Sequence, residues 1–444
     1  MRTATRMAMS LLFTSIAVTG FAGAGEALTL QRVRALTLSR SATLRSAQLA
    51  VDAASLAAQA QGYAALPSLT ASAGVSFDYP PSASSARPGN YLAASAEIAA
   101  SMTVFDGGKT SALVEKYGFA TESARESLRS ARVSLIGQAD AAFFAVLEAQ
   151  ASVDAAASDL EAAESRQTIA QAKIEAGSLS KSAYLQTEAD TAGYETTLVL
   201  ARKTLASAKA RMASLTGLPP ATDLAQIDFT SYAGLLARLS ELDEAAIDTL
   251  ATDVIALAKA NSPALAGYAL SSRQAKLAEA VASKAYVPTV AAGFSQGLVY
   301  GSASSPSFPG SVSLTASMSL DLWSAKNAVD SASVASAQAI MGASQGETDL
   351  ELNLVQALYE WISSAGSISS TAKALEYARS NYESVLERFK LSSATTSDLS
   401  TAEALVSADE TALIAARYGF LSDLSILGSL AGLEDAAELT ALVR

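Results

Sequence analysis

The stretch Thr103–Ser111, "TVFDGGKTS", is the most motif-like chemistry in this 444-residue chain, because Gly108-Lys109-Thr110 matches the end of a phosphate-cradling loop. Such a loop needs a glycine five positions before Gly108, and that position is Thr103. It also needs a buried strand before it, whereas the residues leading into Asp106 alternate between apolar and small. A structural reading fits better: Asp106 caps a helix, and Gly107 and Gly108 absorb a bend from strand into helix. Other reactive groups are scarce. With no cysteine and no histidine, thiol and imidazole catalysis, disulfides and the common zinc ligand sets are excluded. No cofactor or metal site is expected, and carboxylate pairs such as Glu161/Glu164 read as solvated helix faces. The net charge of −12 argues against a sequence-independent grip on nucleic acid.

The elements around these residues are more informative. Arg2 and Arg6 precede an apolar run, and Ala22-Gly23-Ala24 offers a small-residue cleavage site, so residues 1–24 read as a secretory signal peptide. No later segment has about 18 consecutive apolar residues, so membrane insertion, if any, is expected through strands.

The remainder is one unit written twice. Leu44 and Pro67 recur as Leu265 and Pro288 at an offset of 221, and "KIEAGSLSKSAYLQTEAD" (173–190) lies against "RFKLSSATTSDLSTAEAL" (388–405). The expected division is a first repeat over 25–217, a linker over 218–250, a second repeat over 251–432 and a tail over 433–444. Each repeat opens with a helix. A hairpin of two alternating strands follows, at about 68–105 and about 289–323, the second strands running to Val104 and Leu322. "YPPSASSARPGN" and "GSASSPSFPG" are expected as the hairpin loops. Then come proline-free helical stretches, about 109–176 and 325–390, with return helices over about 180–216 and 394–430.

Strands with one lipid-like face cannot stand alone in a bilayer, where only a closed barrel satisfies every backbone group. Barrels need about eight strands, so several chains must share one. Aromatic residues near the strand ends (Phe77, Tyr79, Tyr91, Phe105, Tyr300, Trp323) fit interfacial girdles. The expected assembly is a tube, with alanine-rich rods packed as a sheath beyond one rim.

On "LTLQRVRALTLSRSATLRSAQLAV", "GYAALPSL", "FDGGK", "KIEAGSL", "LQTEAD", "LTGLP" and "LDLWSAKN", in this order, spacing and duplication, essentially the whole mature chain resembles the TolC-like outer-membrane efflux proteins. The resemblance implies a mainly α fold with β. Each chain of a homotrimer would give four strands to a 12-stranded barrel and long antiparallel helices to a periplasmic tunnel, with a mixed α/β belt around the linker and C-terminus. It implies a passive exit duct of a tripartite efflux or type I secretion system, not an enzyme. Its partners would be a periplasmic adaptor, an inner-membrane transporter and outer-membrane lipid. The alternative is an exported alanine-rich coiled-coil structural or adhesion protein, which leaves the duplicated hairpins without a purpose.

Site residues follow from the same resemblance. Gly177, Ser178, Leu179 and Ser180 match the family's adaptor-contacting tip, and also read as a helix C-cap and turn. The second tip carries Ser392 and Ser393 instead, a degenerate version. Asp398 matches an aspartate that rings the closed periplasmic entrance, and Thr401 stands where the family has a second one. Asp398 reads equally as an acid in the first turn of a helix. Glu97 and Asp321 fall on the small, polar faces of their strands, so they are expected to line the barrel lumen or to sit beyond the bilayer.

Overall fold

The computed structural model describes residues 27–78, 91–301, 304–391 and 393–443. The expected signal peptide, the expected first hairpin loop with Tyr79, and Ser392 lie outside the described residues. The chain is mainly α-helical with one antiparallel sheet.

The duplication survives in the helix caps. Helices α1 (Leu30–Arg40) and α2 (Ala42–Tyr63) are separated by the single residue Ser41, whose hydroxyl accepts from the Leu44 amide at 3.2 Å. In the second repeat the break recurs at Ser262. Its hydroxyl accepts from the Leu265 amide at 3.4 Å between α6 (Glu244–Asn261) and α7 (Pro263–Ser283). Each break lets the chain turn while one orphan amide of the next helix stays paired.

Strands β1 (Ser68–Asp78) and β2 (Tyr91–Phe105) form the first hairpin, with Leu69 opposite Ala100 and Val75 opposite Ala94. β2 pairs along its other edge with β3 (Thr289–Gly301), so hairpins nearly two hundred residues apart join in one sheet. The second hairpin departs from expectation. Its loop contains β4 (Ser304–Ser307), and β5 (Gly310–Ser317) stops before Met318 rather than continuing to Leu322. β4 and β5 occupy successive halves of one strand position beside β3. At the break between them, the Gln296 side-chain amide donates to the Phe308 carbonyl and to the Pro309 carbonyl, which also accepts from the Gly297 backbone amide at 2.7 Å. Leu69, Val75, Val312 and Leu314 are each about three-quarters or more exposed, an apolar face that no described residue covers.

Two very long helices follow: α3 (Lys109–Glu175, 67 residues) and α8 (Leu322–Lys390, 69 residues), each about 100 Å at 1.5 Å per residue. They return through α4 (Lys181–Thr216) and α9 (Thr396–Leu430). Both returns end in a left-handed glycine, Gly217 (φ 66°) and Gly432 (φ 77°), one offset of 215 apart. Windows within α3 and α9 reach the mean hydropathy of a membrane span, 1.2, yet both helices supply the main core. That core lies midway along the rods. Phe143, Phe144 and Leu147 of α3 and Leu354, Leu358 and Trp361 of α8 meet Phe420, Leu424 and Leu427 of α9. α5 (Ala233–Ser240) from the linker adds Leu235 and Leu239, and the short α10 (Ala437–Thr440) adds Leu439. Trp361 stacks on Phe420 with ring centroids 5.8 Å apart. The β component of the belt is one parallel bridge between Leu28 and Leu224.

Candidate functional site: corners, lumen face and helix tips

At the first corner, Gly107 and Gly108 take left-handed backbone (φ 66° and 83°) between β2 and α3. A Cβ on Gly107 would come within 2.6 Å of Val287 Cγ1, so both conformation and space require glycine there. Gly108 stands at the formal cap position, and Asp106 caps from two residues further out. Its carboxylate accepts from the Gly108 amide at 3.0 Å, the Thr110 amide at 2.7 Å and the Thr110 hydroxyl at 2.5 Å. Burial alone would raise this carboxyl, but the hydrogen bonds from Thr110 and Gly108 outweigh it and hold it below the usual range. Amides that would cradle a phosphate are thus already engaged by a side chain of the same loop.

Asp321 is its counterpart at the offset of 215, and its expected place on a strand is corrected here. It lies beyond the end of β5 and is the N-cap of α8, accepting from the Ser324 amide at 3.1 Å. A carboxylate has greater use for an orphan helix amide than for a strand face, and the missing glycines let α8 begin at once. Glu97 does lie in a strand. It is mid-β2, exposed, between Ser72 of β1 and Gly297 of β3, on the face shared with Ser68, Thr70, Ser95 and Ser101.

The two far tips are built alike. After α3, Gly177 (φ 71°) donates to the Ile174 carbonyl and Ser178 to the Lys173 carbonyl at 2.9 Å, a Schellman turn, and the Ser178 hydroxyl reinforces the latter at 3.0 Å. After α8, Ser393 makes the matching pair of bonds to the Arg388 carbonyl, at 2.8 and 3.0 Å. Leu179 is half-buried, and Ser180 caps α4 through the Ala183 amide at 3.2 Å. Thr395, its duplicate, caps α9 through the Asp398 amide at 3.1 Å. Asp398 returns the favour by accepting from the Thr395 amide at 2.9 Å and hydroxyl at 2.8 Å, a complete capping box. These bonds, the backbone one first, hold the Asp398 carboxyl below its usual range. Asp398 and Thr401 share the exposed face of α9, whereas Thr396, Leu399, Ala402 and Glu403 face inward.

Two features of the rods escaped the sequence reading. In the belt, Arg34 of α1 grips Asp140 of α3 through Nε and Nη2 of its guanidinium (2.6 and 2.7 Å), and the Ser425 hydroxyl of α9 donates to the same carboxylate at 2.8 Å. Near the tip, Arg166 of α3 and Glu403 of α9 form an ion pair with both side chains buried. A signal was present: Ala156, Ala163 and Ala170 mark a buried seam of period seven, and Asp159, Arg166 and Lys173 run beside it at the same period. Among the described residues no group of three or more His, Cys, Asp or Glu converges as a metal site.

The chain was compared with known proteins. The family model described as outer membrane efflux protein matches residues 33–218 and 254–433, one match for each repeat. No curated sequence matches significantly. Among solved structures, the Campylobacter jejuni CmeC outer membrane channel is 15% identical over 94% of this chain and 89% of its own, with a TM-score of 0.77. The outer membrane protein VceC of Vibrio cholerae is 16% identical over 91% and 97%, TM-score 0.76. The open state of the Neisseria gonorrhoeae MtrE outer membrane channel is 16% identical over 91% and 89%, TM-score 0.72. At these identities the structures speak to the fold, and the family match speaks to kinship over both repeats. This protein belongs to the outer membrane efflux protein family and is a protein of the outer membrane.

Proposed function

We propose that three copies of this chain close into one tube, the passive exit duct of a tripartite efflux or type I secretion system. One observation carries the reading: an antiparallel sheet with an unpartnered apolar face and two free edges, β1 and β5 among the described residues, continues at one end into rods about 100 Å long. Unpaired strand edges are not tolerated in hydrocarbon, and a closed barrel removes them. Four strand positions per protomer in three copies make twelve, enough to enclose an aqueous bore, whereas one chain alone falls short of the smallest barrels.

In this reading the Glu97 face lines the lumen and the rods cross the periplasm. The Gly177–Ser180 and Ser393 tips then receive a periplasmic adaptor, which joins the duct to an inner-membrane transporter. Asp398 and Thr401 ring the entrance. Lipid covers the Leu69, Val75, Val312 and Leu314 face. The protein does no chemistry on its cargo and needs no cofactor. Purified protein in detergent should run as a trimer and give ion-conducting events in planar bilayers, while a coiled-coil adhesin would neither insert nor conduct.

A further inference from the structure

The buried charges near the tip are an odd investment for an alanine-rich rod. Arg166 and Glu403 are both about 3% exposed, and their polar atoms lie out of reach of water, so each depends on the other and on its neighbours. The surroundings are unbalanced. From α3, Asp159 points into the same layer and accepts from the Ser407 hydroxyl of α9 at 2.5 Å. From α4 come Asp190, with one oxygen buried and without a hydrogen-bond partner, and Tyr194, whose ring lies 5.9 Å from the guanidinium. α8 contributes Tyr382 and also Arg379, which pairs with Glu410 of α9 at 3.3 Å. Glu403, paired with Arg166, thus also feels the charges of Asp159 and Asp190. Taking several carboxylates out of water beside one buried cation is unfavourable unless one of them takes up a proton.

The layer belongs to one junction. At the duplicated positions, offset by 215, Arg166 becomes Asn381 and Glu403 becomes Glu188, which is exposed. The repeat therefore does not need this pair to fold. Its location gives it a use. Glu403 sits five residues beyond Asp398, about 7.5 Å along α9, on the face opposite the exposed Asp398 and Thr401. A second tether lies nearer the tip, where Lys173 donates to the Phe389 carbonyl and sits 4.2 Å above its ring.

We propose that Arg166 and Glu403 form a proton-responsive latch that holds the entrance-bearing start of α9 against α3, tight when Glu403 carries a proton and loosened when it is ionised. With a proton on one oxygen, the other still accepts from the guanidinium, and Glu403 no longer repels Asp159 and Asp190. Ionised, the layer carries excess negative charge that is relieved by letting water in, which means moving α9 away. The direction agrees with the effect of burial, which pushes Glu403 from its ordinary 4.5 up to about 7, opposed by Arg166 and aided by Asp159 and Asp190. Because the packed state raises this value, its advantage is complete below about 4.5 and is lost as the pH rises through about 7.

The chain has no cysteine, so spin labels can be placed at will. Gln171→Cys on α3 and Ser397→Cys on α9, both exposed, report the distance across the junction in full-length trimers diluted with unlabelled chain. Between pH 5.5 and 8.5 the distance distribution should broaden and lengthen in the parent, with the separated population rising on the order of ten-fold. Glu403→Gln, isosteric with the protonated acid, should remain short at every pH, and Arg166→Met should be long at every pH. Equal pH responses in the parent and Glu403→Gln would overturn the latch, and that comparison decides the matter even if Arg166→Met does not assemble. In bilayers, open probability should follow the distances. This arm alone rests on the duct reading: distances that respond while no variant conducts would sink the duct and leave the latch standing.

Discussion

Asp106 and Asp321 stand 215 residues apart and do the same work by different means. Each binds the first free amides of a helix about 100 Å long at the point where a strand gives way to it. Asp106 reaches across two left-handed glycines, and Asp321 caps directly. The first corner should therefore be the more sensitive to glycine replacement. Gly107→Ala must displace Val287 as well as adopt a positive φ, whereas a Cβ on Gly108 meets open space. Both variants bear the left-handed penalty of about 1 kcal/mol, and Gly107→Ala exceeds it. The temperature at which the assembled protein dissociates on a gel should fall in the order parent, Gly108→Ala, Gly107→Ala.

Asp140 is 2% exposed and held by Arg34 and Ser425, so it ties α1, α3 and α9 at the belt. Arg34→Ala leaves a buried carboxylate uncompensated and should cost about 3–5 kcal/mol in denaturant unfolding. Replacing both residues should cost less than the sum of the single changes, which a double-mutant cycle measures.

Asp398 caps α9, and its proposed place in a ring at the entrance can be tested apart from that cap. Its carboxyl is held below the ordinary 3.8, so the cap persists above that value and is lost as the pH falls below it. Asp398→Asn keeps a side-chain acceptor for Thr395 and removes the charge. If three such charges ring the entrance, this variant conducts with weaker block by divalent cations while α9 stays intact. Unaltered block would confine Asp398 to its capping box.

Glu97 is the one charged residue in the interior of the described strands, mid-β2 with Ser72 and Gly297 on either side. If three copies line the proposed bore, they attract cations over about a Debye length, near 10 Å at 0.1 M salt. Glu97→Gln should move the reversal potential in a potassium chloride gradient toward that of an unselective pore, with the larger shift at low salt.

The periods of the sequence carried most of this fold. Alternation places β1 and β2 within a residue of where they lie, and Gly177, Gly217 and Pro67 mark real ends. The second hairpin misled because the alternation Val312–Leu322 continues past the point where Asp321 captures a helix amide, so one carboxylate ends a pattern that hydrophobicity alone would extend. The tips were legible as turns since serine and glycine act through local backbone bonds. Arg34–Asp140 and Arg166–Glu403 were not, because each joins residues more than a hundred apart and pairing at that range is set by how the rods pack.

The most direct test of the tube is the stoichiometry and conductance of the purified protein in one preparation. The account predicts chemically crosslinked trimers from outer membranes, and ion currents from those same trimers in planar bilayers. Monomers that neither insert nor conduct would contradict it.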